Sequence, residues 1–357
     1  MSPAVPYDPV ARGRYPVGAR STSITRDDRT LGVEVWYPAT DAHAGADLDS
    51  ARQDSYEVLP GFPPGTQEAV RDAAPRSGRY PLVVFSHGHG GHRRQSTFLC
   101  THTASHGYVV AACDHTGNTI VEALQATMAA RSGGPTPDVH EELRTFIAAR
   151  PADIRVLIDG MLDGLADEIG ALIDPDRIGM SGHSFGGWTT LMVTAKDRRI
   201  RAALPLAPAG GVTPIHVPAL REALDFTWGR EVPTLFIVAE RDTLLPLEGI
   251  GELFERTPSR WKKMVIMRNT DHMHFCDRIE HVHELFRMMP PPVFKELALK
   301  ILPIDQLAPP DHAYRCVRGL GLAHWDATLK DDAGARHLLD GDLVGLLGTR
   351  GIEVAVR

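Results

Sequence analysis

A serine flanked by glycines, at the end of an apolar segment, is the first feature of this sequence that could do covalent chemistry. The segment RIGMSGHSFGGWTTLMV places Gly182, Ser184 and Gly186 between a predicted strand and a predicted helix. A sharp turn there would expose the Ser184 hydroxyl, and the start of the helix would offer free N–H groups to a developing oxyanion. Side chains at 182 and 186 would collide with neighbouring backbone. The alternative is a Gly-rich turn with an incidental serine.

Candidates for a base and an acid follow Ser184 along the chain. A serine hydroxyl is a weak nucleophile, so it needs a histidine base and an acid that orients the histidine. The segment PTLFIVAERDTLLP places Asp242 after a predicted strand, with Glu240 as a weaker alternative closer to the strand end. The segment KKMVIMRNTDHMHF places His272 and His274 after the last predicted strand. Because residues two apart in an extended segment face opposite sides, only one histidine can face the serine, and the turn RNTD favours His272.

Residues 86–92 read SHGHGGH and carry three histidines within six residues. The spacing is that of the metal-binding pattern H-x-H-x-D-H, but Gly91 stands where the aspartate should be. We therefore expect no metal and predict an oxyanion loop, in which the backbone N–H of His89 pairs with that of Phe185. His87 is expected to hold this loop by hydrogen bonds.

Strands and helices are predicted to alternate over most of the chain. Such alternation is typical of an α/β fold, here with a mostly parallel central sheet of about eight strands and helices on both faces. We predict a strand pair in residues 21–40 and one domain over residues 1–357. Insertions at 116–150 and 277–310 could form a lid or a cap. The helix that contains Pro151 is expected to break or restart there.

The Met/Pro-rich insertion at 277–310 follows the predicted base directly, so its start must lie near the site. We predict a helical cap beside an acyl pocket, in which the adaptable side chains of Met288 and Met289 contact the substrate. Trp188, early in the helix after Ser184, is a further candidate for the pocket wall. For all three residues the alternative is packing in the core.

Composition excludes several classes of function. The chain has 357 residues, 43% of them hydrophobic, and a formal net charge of −7. It has no Lys/Arg block that would indicate nucleic-acid binding, and no uninterrupted apolar run of membrane length. Its first residues lack the apolar region of a secretory signal, so we expect a cytoplasmic protein. The four cysteines are spread without close pairing and are expected to be buried thiols.

Several segments together resemble the α/β-hydrolase superfamily. The matching segments, which cover residues 15–280, are YPVGARSTSITRDD, VEVWYPA, PLVVFSHGHGGHRRQSTFLCTHTASHGYVVAACDHTGN, DPDRIGMSGHSFGG and NTDHMHFCD. They are similar to the platelet-activating-factor acetylhydrolase and dienelactone-hydrolase-like group. That resemblance implies an α/β-hydrolase fold and an esterase of small or medium acyl esters that needs no cofactor.

The chain departs from that group at two points. Dienelactone hydrolases have a cysteine nucleophile, where this chain has Ser184. In the acetylhydrolases the acid follows the sixth strand, where this chain reads LPLAPAGG and has no carboxylate. The acid therefore moves to Asp242, its position in most other α/β-hydrolases.

The sequence thus predicts a carboxylic ester hydrolase that acts through Ser184, His272 and Asp242 and an acyl-enzyme. Its partner would be a small-molecule ester. Three alternatives are an amidase or peptidase with the same triad, a non-catalytic binding protein of the same fold, and a metallo-hydrolase.

Overall fold

The computed structural model describes residues 7–26, 28–59, 61–134, 138–164, 167–215 and 217–357. The first six residues and residues 135–137 of the predicted insertion at 116–150 lie outside the described residues. The strands are β1 Val17–Arg26, β2 Arg29–Pro38, β3 Asp54–Tyr56, β4 Gly65–Gln67, β5 Val70–Arg71, β6 Tyr80–Ser86, β7 Val109–Cys113, β8 Ile173–His183, β9 Ile200–Leu206, β10 Thr234–Ala239, β11 Lys262–Met267 and β12 Val354–Val356.

Ten of these strands form one large sheet, in the order β12-β11-β10-β9-β8-β6-β7-β2-β1-β5. The six central strands, from β11 to β7 in that order, pair in parallel. Strands β12 and β2 add antiparallel neighbours at the two ends of this parallel part. Because parallel strands point the same way, the loops after β6, β8, β10 and β11 meet at one edge of the sheet.

The helices cover both faces of the sheet, as the alternation of elements predicts. Their bounds are α1 Thr97–Ser105, α2 Ile120–Arg131, α3 Val139–Leu162, α4 Asp167–Gly170, α5 Phe185–Lys196, α6 Pro218–Ala223, α7 Leu247–Arg256, α8 Ile279–Met288, α9 Lys295–Ala298, α10 Pro310–Leu329, α11 Ala333–Asp340 and α12 Leu343–Gly348. Val83 and Phe85 of β6 join a core cluster that includes residues of α1 and α10. Leu82 and Val84 point the other way and join a cluster that includes residues of α3.

The predicted strand pair near the N-terminus is confirmed, since β1 and β2 form an antiparallel ladder from Val17 opposite Pro38 to Arg26 opposite Arg29. The expected sheet of about eight strands is close to the ten observed. Among the ten, β5 has two residues and β12 has three, which is too short for a period of two to be recognisable in sequence.

The expected break at Pro151 is wrong. Helix α3 runs without interruption from Val139 to Leu162, with Pro151 inside it. A proline lacks only its own N–H, so the single backbone hydrogen bond lost is the one to the carbonyl of Ile147. The rest of the helix is stabilised by tertiary packing, because Ile154, Leu157, Ile158 and Met161 are fully buried.

The residues around the predicted base lead into helical structure, as expected for 277–310. A 3₁₀ turn at His272–Phe275 is followed by α8, and shorter helical turns precede α10. No helix in the described ranges is both long enough and apolar enough to cross a bilayer. All four cysteines are free and buried, which confirms the prediction of buried thiols.

Candidate active site

Ser184 occupies a strained turn between β8 and α5. Its backbone adopts φ 61° and ψ −117°, a left-handed conformation that is rare for a residue with a side chain. A Cβ atom at Gly182 would lie 2.4 Å from the carbonyl oxygen of Gly186, and one at Gly186 would lie 1.9 Å from that of Ser86. The collisions predicted for side chains at 182 and 186 are therefore confirmed, and only glycines allow this turn.

The structure brings Ser184, His272 and Asp242 into one line of hydrogen bonds. Nε2 of His272 lies 2.9 Å from Oγ of Ser184. Nδ1 of the same ring lies 2.6 Å from Oδ2 of Asp242. Because a carboxylate can only accept, Nδ1 carries a proton, which leaves Nε2 of the neutral ring free to accept from the serine hydroxyl.

The Asp242 carboxylate is fixed by its own turn. Its Oδ1 atom accepts hydrogen bonds from the N–H groups of Leu244 at 3.0 Å and Leu245 at 2.8 Å. Its other oxygen, Oδ2, accepts the hydrogen bond from Nδ1 of His272. Burial lowers the pKa of His272, but the charge and the hydrogen bond of Asp242 outweigh burial and raise this pKa above the ordinary imidazole value.

The loops that carry Asp242 and His272 are joined directly, because β10 and β11 are parallel neighbours. The N–H of Arg241 donates to the carbonyl of Thr270 at 2.8 Å, and the N–H of Glu240 donates to that of Met267 at 3.0 Å. These backbone bonds hold the acid and the base at a fixed separation.

Glu240, the alternative acid, and His274, the alternative base, have other hydrogen-bond partners. Glu240 forms an ion pair with Arg268 and accepts from the N–H of Asn269, so its side chain braces the turn after β11. His274 is fully buried, with Nδ1 2.9 Å from Oδ1 of Asp271 and Nε2 3.2 Å from the carbonyl of Ala308. His274 therefore contacts Asp271 and Ala308 rather than Ser184. The expectation that the two histidines lie in an extended segment is wrong, because both belong to the 3₁₀ turn His272–Phe275.

Each histidine of the SHGHGGH segment has at least one ring nitrogen in a hydrogen bond within the protein. His87 donates from Nδ1 to the carbonyl of Gly88 at 2.7 Å and accepts at Nε2 from the N–H of His115 at 3.0 Å. Nδ1 of His89 accepts from the side-chain amide of Asn118 at 2.7 Å. Within the described ranges, no group of three or more His, Cys, Asp or Glu side chains is arranged to hold a metal ion.

The same segment lies beside the nucleophile. A Cβ atom at Gly88 would be 3.4 Å from Cβ of Ser184. The N–H groups of Gly88 and Gly91 donate within the loop, to Oε1 of Gln95 and to the carbonyl of Gly88. Phe185 is the first residue of α5, where a helix has no acceptor of its own for the N–H group. These positions are compatible with the predicted pairing of the His89 and Phe185 N–H groups.

Comparisons with known proteins agree with this architecture. The model of a family described as "Platelet-activating factor acetylhydrolase, isoform II" matches residues 66–144, which include the SHGHGGH loop and end before Ser184. A solved structure of ferulic acid esterase from Streptomyces cinnamoneus superposes with a TM-score of 0.60 at 24% identity, over 92% of this chain and 93% of that one. The chain has the α/β-hydrolase fold and resembles the platelet-activating factor acetylhydrolases.

Two curated relatives extend the resemblance beyond the family model. Platelet-activating factor acetylhydrolase of Bos taurus is 27% identical over an alignment of 243 residues, and the alignment covers 59% of this chain and 52% of the relative. Cutinase est1 of Thermobifida alba is 29% identical over 201 residues, 56% of this chain and 55% of the relative. The chain thus spans about half the length of the curated relatives it matches.

The three residues predicted for the substrate pocket differ in burial. Trp188 is fully buried in the core, where its indole N–H donates to the carbonyl of Leu220 at 2.7 Å. Met288 and Met289, at the end of α8, are 70% and 42% exposed. The burial of Trp188 favours the alternative that it packs in the core. The exposure of the two methionines argues against the alternative of core packing, and their contact with a substrate stays a prediction.

Sequence reasoning missed a set of polar residues that support the site. Gln95 connects two parts of it, because Oε1 accepts from the N–H of Gly88 at 2.8 Å and Nε2 donates to Nδ1 of His183 at 3.1 Å. Arg150 and Asn118 lie beneath the SHGHGGH loop and are also buried. A signal was present only for His183, which lies inside the Gly-x-Ser-x-Gly motif itself.

Proposed function

We propose that this chain is a serine carboxylic ester hydrolase. The observation that carries the proposal is the line of hydrogen bonds from the Ser184 hydroxyl through the His272 ring to the Asp242 carboxylate. In such an arrangement the histidine can remove the serine proton, and the carboxylate keeps the ring in the required tautomer. The strained backbone of Ser184 holds its hydroxyl at the edge of the sheet where the four loops meet.

The reaction we propose has two halves. Ser184 Oγ attacks the ester carbonyl while His272 Nε2 takes its proton, which gives a tetrahedral intermediate whose oxyanion accepts from the N–H groups of His89 and Phe185. His272 then protonates the leaving alcohol, and an acyl-enzyme remains on Ser184. Water, deprotonated by the same histidine, attacks the acyl group and releases the acid.

The names of the similar proteins support the choice of ester chemistry. One of them is an acetylhydrolase and another is an esterase. We propose small or medium acyl esters as the substrate class, and the reaction requires no cofactor.

The test is the rate of hydrolysis of nitrophenyl esters with acyl chains of increasing length, compared with anilides of the same acids. A serine-directed organophosphate should abolish ester hydrolysis, and mass spectrometry should locate the label on Ser184. Exhaustive chelation should leave the rate unchanged, because both ring nitrogens of His87 and one of His89 already have partners within the protein. Loss of activity on chelation, restored by zinc, would favour the metallo-hydrolase alternative. Faster hydrolysis of the anilides would favour an amidase.

A further inference from the structure

Arg150 lies beneath the loop that carries the proposed oxyanion donor. It is fully buried in the middle of α3. Its Nη1 atom donates to the carbonyl of His87 at 2.7 Å, and its Nη2 atom donates to the carbonyl of Gly88 at 2.9 Å. Nε and Nη2 both donate to Oδ1 of Asn118, the former at 3.1 Å. A single guanidinium therefore contacts two consecutive carbonyls of the loop.

The direct hydrogen-bond partners of this guanidinium are neutral oxygens, although the charge of Asp153 attracts it over a longer distance. In the part of the chain that the structure describes, no acidic side chain forms an ion pair with Arg150. The carboxylate of Asp153, one turn further along α3, is engaged by Arg29 and by Nδ1 of His115. Burial lowers the pKa of Arg150 to about 9, so the group keeps its charge at neutral pH. Burying an arginine without an ion pair is costly, so the hydrogen bonds to the loop carbonyls and to Asn118 must offset that cost.

The geometry of one peptide unit connects Arg150 to the site. The carbonyl of Gly88 and the N–H of His89 belong to the same planar trans peptide, so they point in opposite directions. The carbonyl accepts three hydrogen bonds, from Arg150 Nη2, from His87 Nδ1 at 2.7 Å and from the N–H of Gly91 at 3.2 Å. With the carbonyl fixed towards the interior, the N–H of His89 is fixed in the opposite direction.

The second proposed donor and the His89 ring are also in contact with this group. Cζ of Arg150 lies 4.3 Å from the centre of the Phe185 ring, a cation–π distance. The amide of Asn118, whose oxygen accepts from Arg150, donates to Nδ1 of His89. Both residues that supply the proposed oxyanion donors are thus held by Arg150, directly or through Asn118.

We propose that Arg150 is a positioning residue for the oxyanion hole. It fixes the orientation of the Gly88–His89 peptide, and its charge polarises the Gly88 carbonyl so that the His89 N–H becomes a stronger donor to the oxyanion. The inference rests on the serine-hydrolase function proposed above.

The test compares Arg150→Met and Arg150→Lys with the wild type in kcat, KM and inhibitor affinity. The inhibitors are a trifluoromethyl ketone, which forms a tetrahedral oxyanion on the serine, and the matching methyl ketone, which stays trigonal. Because a misplaced donor costs on the order of 10–100-fold, Arg150→Met should lower kcat by about that factor with KM within about threefold. Trifluoromethyl ketone affinity should fall by the same factor as kcat/KM, and methyl ketone affinity should not change. Arg150→Lys keeps the charge but not the forked donor. Its kcat and trifluoromethyl ketone affinity should lie between those of Arg150→Met and the wild type.

Arg29→Gln is the matched control, because it breaks the outer end of the same buried network without touching the loop. It should lower the unfolding temperature but leave kcat and trifluoromethyl ketone affinity unchanged. Titration with an organophosphate counts correctly folded sites in each variant. The inference is overturned if Arg150→Met and Arg150→Lys both keep kcat and trifluoromethyl ketone affinity within twofold per titrated site. An inactive wild type, or a Ser184→Ala variant as active as the wild type, would instead overturn the proposed function and the inference with it.

Discussion

The ring of His183 lies against the ring of His272, with centroids 4.5 Å apart. It also stacks on the ring of Phe275 at 5.1 Å, and Gln95 holds its Nδ1 atom. Burial and the nearby His272 lower the pKa of His183 well below the ordinary value, so the ring is neutral. The proposed base thus packs against the neutral ring of His183, a residue of the Gly-x-Ser-x-Gly motif itself. A positive charge at this position would oppose protonation of His272 during the reaction.

Replacement of Ser184 by alanine should abolish hydrolysis. We expect kcat to fall by about 10⁴–10⁶, since removal of a serine nucleophile has this effect in other triad enzymes. The fold should be retained, because alanine only removes the hydroxyl. Rates on a nitrophenyl ester and a thermal unfolding curve check both parts. If the purified variant keeps more than a tenth of the wild-type rate, Ser184 is not the nucleophile.

The two histidines of the base loop should respond differently to alanine. His272→Ala should reduce kcat as severely as Ser184→Ala, and the double variant should be no worse, because the two residues act as a unit. His274→Ala should mainly reduce stability, since its buried ring bridges Asp271 and the carbonyl of Ala308. We expect a loss of about 1–3 kcal/mol in the free energy of unfolding and only about a tenfold effect on kcat.

Kinetics on titrated sites and chemical denaturation of each variant separate these effects. A near-inactive His274→Ala variant together with an active His272→Ala variant would reverse the assignment.

The site was predictable where its chemistry depends on local pattern and chain order. Ser184 was predictable because the strand, the turn and the helix around it lie within one short segment. Asp242 and His272 were predictable because each follows one of two strands that are neighbours in a parallel sheet. Arg150 and Gln95 were not predictable in the same way. Each acts through several side-chain contacts that depend on the folded structure, and neither has neighbours in the sequence that distinguish it from an ordinary polar residue on a helix or loop.

The pH dependence of hydrolysis should reflect the raised pKa of His272. The base must be neutral to accept the serine proton, so kcat/KM should increase as pH rises through this pKa, with a midpoint above the ordinary imidazole value of about 6.5. Asp242→Asn removes the charge that raises the pKa and leaves the burial that lowers it. The midpoint should therefore move to lower pH, while kcat falls by about 10⁴. A pH profile of kcat/KM for both proteins is the measurement, and a midpoint that stays in place would show that Asp242 does not control the base.

Asp277 ties the chain after the base turn to the start of α1. Its Oδ2 atom accepts from the N–H and the hydroxyl of Thr97, both at 2.6 Å, and Oδ1 accepts from the N–H of Phe98 at 3.1 Å. Its own N–H donates to the carbonyl of Gln95 at 2.8 Å. Burial raises the pKa of Asp277 to about 6, although these hydrogen bonds partly oppose the increase.

The raised pKa of Asp277 should make stability depend on pH in a direction opposite to that of a salt-bridged carboxylate. Between the unfolded value of about 3.9 and the folded value of about 6, the folded state holds a proton that the unfolded state has lost. The contribution of Asp277 to the free energy of unfolding is therefore complete below about pH 4 and is lost as pH rises to about 6. Asp277→Asn cannot titrate, so the free energy of unfolding of the variant relative to wild type should increase by on the order of 2 kcal/mol over this range. Denaturation with urea at several pH values measures the difference, and the exposed Asp305→Asn variant controls for the loss of one negative charge. Parallel pH curves for Asp277→Asn and the wild type would show that Asp277 titrates normally despite its burial.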